Sequence, residues 1–324
     1  MTKPRLATTL AVIFATVSLL AAGCGDDGDV ATDSTTSTAA PSTTDTSPPQ
    51  TTPSETTTPD STVPAAEPLE LGVYFVAEVG EPAAGGVVDA LAASVRTVEI
   101  DGEATTAVLA ETALSAVLDG PTDLEAEIGY GSAVPAATVL GGVTVTDGIA
   151  TVELSGEFEE PSGALTDTLR IAQVVFTLTA LVDIDAVVFS IDGTVRDLIG
   201  THGVEVDAEN GAVRDDFAEA RPPILVEQPA VGTTLADSLD VSGESNTFEA
   251  NVRWALTDPD GLILDEGFTT ATGGNGTWGT FEFTVAVPSA DRAGLGAVIL
   301  WEDSPEDGRQ VNIVEVPLMF EAPA

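Results

Sequence analysis

Residues 165–193 read LTDTLRIAQVVFTLTALVDIDAVVFSIDG and contain the clearest structural pattern in the chain. Apolar residues first recur at a spacing that lines one side of an α-helix, namely Leu165, Leu169, Ala172 and Phe176. Apolar residues then alternate as they do in a strand, namely Val187, Phe189 and Ile191. Asp192-Gly193 turns the chain after them. The stretch predicts a helix that leads into a core strand, and it carries no obvious catalytic chemistry.

Composition sets the size and the charge of the molecule. With 324 residues, 43% of them hydrophobic, the chain is long enough for two domains. Its 53 acidic residues outnumber its 10 basic ones, which gives a net charge of −43, and Lys3 is the single lysine. Such a charge repels nucleic acid and attracts cations and basic partners, so we expect no nucleic-acid partner. A saline habitat or a genome-wide bias would also produce this acidity, without any functional meaning.

The sequence contains one cysteine, Cys24, and one histidine, His202. No intrachain disulfide can form, and a zinc site of the Cys/His type cannot be assembled. A catalytic Cys-His or Ser-His-Asp arrangement would have to use His202. We therefore predict no metal site and no cofactor.

The N-terminus resembles a bacterial lipoprotein signal peptide over residues 1–23. A basic start is followed by an apolar run of about fifteen residues, which is short for a membrane span. The small residues that precede Cys24 resemble a lipobox, although Ala21 stands where leucine is most common. We predict that Cys24 becomes the lipidated N-terminus, carrying palmitate-type acyl chains that anchor the protein. An ordinary secretory peptide with an incidental cysteine is the alternative.

Residues 24–68 are almost entirely Thr, Ser, Pro and Asp. Such a segment has little apolar surface to bury, so we predict a disordered linker. Its extended length could reach roughly 130 Å, at about 3.1 Å per residue. The linker could therefore hold the folded part well away from the membrane.

The next segment predicts a β-β-α-β-β-α-β order. The first strand, Leu69 to Glu78, has an apolar face and a second face with Glu70, Tyr74 and Glu78. A second strand at Val95–Ile100, a helix that ends at Gly120-Pro121 and a hairpin around Asp147-Gly148 follow. The helix and strand of residues 165–193 complete the order. It predicts an α+β sandwich of two helices against a mixed sheet.

Residues 69–218 resemble a GerMN domain, a family named for sporulation and germination. The matching residues are VYFV at Val73–Val76, Leu118–Pro121, Gly131–Pro135, Asp147-Gly148, Gln173, Phe176–Thr179 and VVFSIDG at Val187–Gly193. The resemblance implies an extracytoplasmic protein, similar to ring-building modules of envelope assemblies. It implies no catalytic residues.

After Arg221-Pro222-Pro223 the pattern becomes all-β, over residues 222–324. Apolar residues alternate through two stretches, namely Phe248, Ala250, Val252, Trp254 and Leu256, then Phe281, Phe283, Val285 and Val287. Turns at Asp260-Gly261, Gly273–Gly276 and Asp307-Gly308 separate short strands, which predicts an immunoglobulin-like sandwich. The segment resembles the second type of GerM-associated domain (Gmad). The matching residues are Ile224–Val226, Gln228-Pro229, Val241–Gly243, Phe248–Trp254, Gly279–Phe281 and Ser304–Gly308.

His202 is the first candidate for catalysis. It lies in a glycine-flanked loop with Asp197, Glu205 and Asp207 near in sequence. No nucleophile motif such as G-x-S-x-G accompanies it. The pattern favours a loop histidine without a catalytic role.

Acidic pairs and aromatic residues are the other candidates. Glu159-Glu160 and Asp215-Asp216 are neighbours that point apart, as solvated carboxylates do. The oxygen-rich segments Asp258–Gly261 and Asp303–Gly308 lack calcium-loop spacing and are typical of turns. Among the tryptophans, Trp254 is predicted in the core and Trp278 on the surface, where it could stack on a sugar.

The leading hypothesis is a non-catalytic, lipid-anchored envelope protein on the extracytoplasmic face of the cell membrane. Its two domains would bind an envelope protein or self-assemble, in a role that the family resemblance connects with sporulation or germination. The alternative is a module that binds cell-wall glycan through Trp278. A hydrolase that uses a carboxylate or His202 as base is the third hypothesis.

Overall fold

The computed structural model describes residues 68–79, 88–100, 102–288 and 293–321. The predicted signal peptide, Cys24 and the linker up to residue 67 lie outside these residues. No helix in the described ranges has the length and hydropathy needed to cross a membrane.

The first domain has the predicted order of elements, with additions. Its main elements are β1 (Leu69–Val79), β2 (Val88–Val98), α1 (Thr106–Asp119), α2 (Asp123–Glu127), β3 (Leu140–Thr146), β4 (Ile149–Leu154), α3 (Ala164–Leu178) and β5 (Ala186–Ile191). Short strands follow: β6 (Thr194–Val195), β7 (Leu198–Ile199) and β8 (Val204–Glu205). A 3₁₀ segment, Arg214–Ala220, leads to the second domain. The predicted strand Val95–Ile100 overlaps the end of β2, which begins seven residues earlier than predicted, at Val88, and ends two residues earlier, at Val98.

The described residues of the first domain form two main sheets and a small two-stranded one, in which β7 pairs antiparallel with β8. β1 and β2 pair antiparallel along their whole length. A second sheet has the order β3–β4–β5–β6, in which β4 and β5 are parallel and the other pairs antiparallel. A parallel pair needs a crossover connection, and α3 supplies it. The predicted mixed sheet is confirmed.

Helix α3 lies at the centre of this domain. Leu169, Ala172 and Phe176 are fully buried, as predicted, but Leu165 is 44% exposed. Leu165 lies in the first turn of the helix, before the part that is covered by α1, β1 and β5. From Leu169 to Leu178 every residue is buried, and so are all six residues of β5. The stretch therefore forms the core of the domain.

Tyr74 differs from the prediction that placed it on the polar face of β1. Its side chain is buried, with 2% of the residue exposed, because Phe176 of α3 and the guanidinium of Arg214 pack against its ring. The Tyr74 backbone N–H donates to Thr177 Oγ1 at 3.1 Å, and Gln173 Nε2 donates to the Tyr74 carbonyl at 3.1 Å. The ring meets the edge of Phe176, with 5.4 Å between centroids. Polar residues of α3 thus satisfy the Tyr74 backbone groups at the edge of β1 that faces away from β2.

The second domain is a sandwich of seven strands. They are β9 (Ile224–Gln228), β10 (Ser238–Ser245), β11 (Asn251–Thr257), β12 (Ile263–Thr270), β13 (Gly279–Ala286), β14 (Gly294–Asp303) and β15 (Gln310–Phe320). One sheet has the order β13–β10–β9 and the other β12–β11–β14–β15. Trp254, Phe281 and Leu300 are among the buried residues between them. This arrangement confirms the immunoglobulin-like prediction.

Phe248 is an exception to the predicted strand pattern. Residues Phe248–Ala250 form a short 3₁₀ turn, and β11 begins only at Asn251. Glu249 and Ala250 have φ values of +55° and +58°, which breaks the alternation. Phe248 is consequently exposed instead of contributing to the core.

Candidate functional site at the domain interface

Arg214 lies where the two domains meet. Its Nη1 contacts Glu227 Oε1 at 3.0 Å and Glu244 Oε1 at 2.9 Å, and both carboxylates belong to the second domain. Its Nη2 donates to Tyr74 Oη, in the first domain, at 3.1 Å. Tyr74 Oη in turn donates to Glu227. One guanidinium thus joins a strand of the first domain to two strands of the second.

The same arginine is held on its other side by α3 and the turn after it. Arg214 Nε donates to Thr179 Oγ1 at 3.0 Å, and Nη2 also lies 3.3 Å from the Phe176 carbonyl oxygen. The guanidinium carbon lies 4.8 Å from the centre of the Phe176 ring, a cation–π distance. These contacts fix the orientation of the guanidinium.

Ionisation at this point is strongly perturbed. Burial, followed by the negative charge of Glu227, raises the pKa of Tyr74 well above its ordinary value. Burial opposes the charge of Arg214, but the acidic groups Tyr74, Glu227 and Glu244 raise its pKa overall. Tyr74 therefore stays protonated as a donor, and Arg214 stays charged.

Arg221 extends the network. Its Nη1 contacts Glu244 Oε2 at 2.8 Å, and its Nη2 contacts Asp215 Oδ1 at 3.1 Å. The Arg221 side chain is only 3% exposed, and its guanidinium carbon lies 4.0 Å from the centre of the Trp278 ring. We call Tyr74, Arg214, Arg221, Glu227 and Glu244 the interface cluster.

The stacking on Arg221 corrects the prediction for Trp278. The ring lies against a buried cation and is only partly exposed, so one of its faces cannot stack on a sugar. Trp254 is buried in the core, as predicted. Trp301 is also buried, and its Nε1 donates to Asp303 Oδ1 at 3.0 Å. The described structure therefore brings no tryptophans together into an open platform.

A groove of about 560 Å³ lies beside the cluster, between the domains. Its walls are Ala77–Val79 of β1, Leu91–Ala93 of β2, Ile128, Tyr130, Pro222, Ile224–Val226 of β9 and Ile313–Pro317 of β15. We call it the interdomain groove. Its volume is within the range of small-ligand sites, which often occur between domains. Burial, together with the charge of Glu125, raises the pKa of Tyr130 to about 12, so the phenol in this wall stays protonated.

His202 does have a carboxylate partner, but not one of the three that are near in sequence. Its Nδ1 lies 3.0 Å from Asp167 Oδ2, and its backbone N–H donates to the same oxygen at 3.2 Å. The His202 side chain is 48% exposed, whereas Asp167 is buried in α3. Asp167 also accepts a hydrogen bond from Ser162.

This arrangement does not form a nucleophile relay. In a Ser-His-Asp site the histidine must lie between the other two groups, whereas here the aspartate does. Burial by itself raises the pKa of Asp167, but hydrogen bonds from Ser162 and His202 and the charge of Arg170 lower it overall. The ionised carboxylate holds the loop of His202 against α3. In this arrangement the contacts of His202 with Asp167 are structural.

The candidate acidic pairs have separate partners. Glu159 contacts Arg196 at 2.9 Å, while the Glu160 carbonyl accepts a hydrogen bond from Arg170 at 3.0 Å. The Asp216 carboxylate accepts the backbone N–H of Val213 at 2.9 Å, whereas Asp215 contacts Arg221. Neither pair converges on a common point, as paired catalytic carboxylates do.

The oxygen-rich segments form turns. Asp258 Oδ1 accepts the backbone N–H groups of Asp260 and Leu262 at 2.9 and 2.8 Å. Asp307 Oδ1 accepts the N–H of Arg309 at 3.2 Å. Among the described residues no group of three acidic, histidine or cysteine side chains is placed to hold a metal ion.

The interface cluster was missed at the sequence level. Sequence alternation places Tyr74 on the same face as Glu70 and Glu78, and it places Arg221 at the boundary between the domains. The sequence does offer one signal for the interface cluster, namely the small number of basic residues. In so acidic a chain, each arginine has many carboxylates with which it can form an ion pair. Two arginines within eight residues of a domain boundary could have indicated a charged interface.

Two family models match the chain. The Germane family, described as "Sporulation and spore germination", matches residues 72–197. The Gmad2 family, described as "Immunoglobulin-like domain of bacterial spore germination", matches residues 223–309. No curated protein matches the chain.

Solved structures give three further similarities. A crystal structure of a protein from Clostridium perfringens, described as a candidate lipoprotein, has 18% identity and a TM-score of 0.31, with 48% of this chain and 93% of that one covered. The first GerMN domain of the sporulation protein GerM from Bacillus subtilis has 21% identity and a TM-score of 0.31, with coverages of 44% and 98%. The tandem GerMN domains of GerM have 16% identity and a TM-score of 0.34, with coverages of 69% and 63%.

The two matched segments coincide with the two structural domains described above, in the same order. Neither family description names a catalytic activity. The chain thus carries a segment that matches the Germane family, "Sporulation and spore germination", followed by a segment that matches the Gmad2 family, "Immunoglobulin-like domain of bacterial spore germination".

Proposed function

We propose that this protein is a non-catalytic binding module of the bacterial envelope, anchored by a lipidated Cys24 on the extracytoplasmic face of the membrane. The observation that carries the proposal is the interdomain groove, because both domains contribute its walls. A surface built in this way exists only while the two domains keep one arrangement. The ion pairs of the interface cluster hold the two domains in that arrangement.

The chemistry of the polar groups supports binding over catalysis. Tyr74, Arg214 and Asp167 are engaged in charge-assisted hydrogen bonds, and their pKa shifts favour the protonation states that make those bonds. A catalytic acid or base needs a proton that it can exchange near the working pH. These groups instead fix geometry.

The experiment is capture of partners from the envelope. The tagged full chain is produced in a bacterium, solubilised from the membrane with detergent and recovered together with its bound proteins. In parallel, the same preparation is sedimented with purified cell-wall sacculi. We expect one dominant envelope protein to be recovered and no sedimentation with sacculi.

Two results would count against the proposal. Sedimentation with sacculi that is lost in Trp278→Ala would identify a glycan-binding module. Recovery of no protein, even after chemical cross-linking in intact cells, would remove the binding role. A captured protein would direct further work to that partner and its place in sporulation or germination.

A further inference from the structure

The interdomain groove lies where three sheets end. β2 belongs to a two-stranded sheet, β9 is outermost in β13–β10–β9, and β15 is outermost in β12–β11–β14–β15. Side chains alternate between the faces of a strand, so a run of consecutive lining residues means that the strand presents its edge. Leu91–Ala93 and Ile313–Val316 are such runs, whereas the carbonyl of Pro317, the next residue, already accepts the Gly232 N–H at 2.8 Å. Strand edges offer backbone donors and acceptors to an added strand.

The side chains of the groove are apolar apart from two acids and the hydroxyl of Tyr130. Leu91, Ala92 and Ile128 line one side, and Ile313 lies on the β15 side. The charged residues that line it are Glu78 and Glu315, and both are exposed. Apolar walls with acids among them suit an extended segment that alternates apolar and basic residues.

Net charge indicates whether the interdomain groove binds a second copy of this chain or a different partner. The chain has a net charge of −43, so two copies of it repel each other electrostatically. A basic segment is instead attracted both by that field and by Glu78 and Glu315. Resting on the proposed function, we infer that the interdomain groove binds an extended, basic and apolar segment of a partner polypeptide, which runs along the edge of β15.

The test begins with selection from a library of random 12-residue segments displayed on phage. The purified full chain in detergent is one target, and its Ala92→Trp variant, in which the groove is filled, is the parallel target. Segments enriched on the unaltered chain are synthesised with a fluorescent label, and their binding is measured by anisotropy. Circular dichroism checks that each variant is folded.

We expect enriched segments to combine Val, Ile or Leu with Lys or Arg. Their affinity should fall at least tenfold in Ala92→Trp and in Ile313→Lys, which alter opposite walls, so that one misfolded variant leaves the other informative. Glu315→Gln should weaken binding about threefold. Glu282→Gln should not weaken binding, because it makes an equal change of charge at an exposed residue of β13, the strand at the opposite edge of its sheet from β9.

Several results would overturn the inference. They are no enrichment, enriched segments without basic residues, equal binding to the filled groove, or equal weakening by Glu315→Gln and Glu282→Gln. An envelope protein that is captured equally by the unaltered chain and by Ala92→Trp would remove the groove as the site and leave the binding function intact. Failure to capture any protein would instead overturn the proposed function.

Discussion

Replacement of Arg214 by methionine tests the interface cluster most directly. Methionine keeps much of the volume but removes the charge and every hydrogen bond to Glu227, Glu244 and Tyr74. Removal of one partner from a buried ion pair costs roughly 3–5 kcal/mol. Glu244 keeps its contact with Arg221, and Glu227 is partly exposed, so we expect a loss at the lower end, about 3 kcal/mol.

The two domains can be followed separately in one unfolding experiment. All three tryptophans belong to the second domain, and the described α-helices belong to the first. Tryptophan fluorescence and far-ultraviolet circular dichroism therefore report on different domains during urea or thermal unfolding. In the unaltered chain we expect coincident transitions, and in Arg214→Met we expect them to separate. A loss of about 3 kcal/mol corresponds to a fall in Tm of roughly 6–12 °C for a protein of this size.

Arg253→Met is the matched control. Arg253 contacts Asp303 at 3.5 Å, but both side chains are largely exposed. Exposed pairs contribute about 0.2–1 kcal/mol, so this variant should change the free energy of unfolding by less than about 1 kcal/mol. The reasoning is refuted if Arg214→Met loses no more stability than Arg253→Met, or if its two transitions still coincide.

Three further predictions concern other parts of the chain. The pKa of Asp167 is lowered in the folded state, so its carboxylate stabilises the fold above the ordinary carboxyl pKa, and this stabilisation is lost as the pH falls through the folded-state pKa. Asp167→Asn should therefore lower the free energy of unfolding by about 2 kcal/mol at neutral pH. Urea unfolding midpoints of the two proteins should converge below about pH 4. In Gly243→Ala the new Cβ would lie 2.0 Å from the Leu225 carbonyl oxygen, so we expect a loss of at least about 2 kcal/mol. Gly308 has a φ of +73° and open space around it, so Gly308→Ala should lower the free energy of unfolding by only about 1 kcal/mol. Equal decreases in Tm for Gly243→Ala and Gly308→Ala would contradict this difference. Cys24→Ser should abolish incorporation of labelled palmitate into the protein, and undiminished incorporation would disprove lipidation at Cys24.

Local patterns predicted the elements of the fold because they depend on near neighbours in sequence. The apolar stripe of α3 and the alternation in β5 reflect single periodicities. Asp147-Gly148 gives the hairpin because both residues adopt positive φ, at +49° and +80°, as a two-residue turn requires. Phe248 was predicted wrongly because Glu249 and Ala250, just before β11, have positive φ values that interrupt the strand pattern. Apolar periodicity does not reveal such backbone conformations.

The interface cluster could not be predicted because its members are far apart in sequence. Tyr74 and Arg214 are separated by 140 positions, and no local rule connects a tyrosine in a strand with an arginine after a loop. The partner of His202 shows the same limit. Candidates were sought among its neighbours, whereas the carboxylate that contacts it, Asp167, lies 35 positions earlier.

The arginines have a consequence for how a partner would approach. In the described part of the chain each of them contacts a carboxylate: Arg96, Arg170, Arg196, Arg214, Arg221, Arg253 and Arg309. Their charge is thereby offset locally, and the excess of acids determines the distant field. A basic partner would be drawn in at a rate that falls steeply with ionic strength. This long-range field attracts a basic partner without fixing its orientation. The lifetime of the complex would therefore depend on contacts with the apolar walls of the groove, and it would change little with salt concentration.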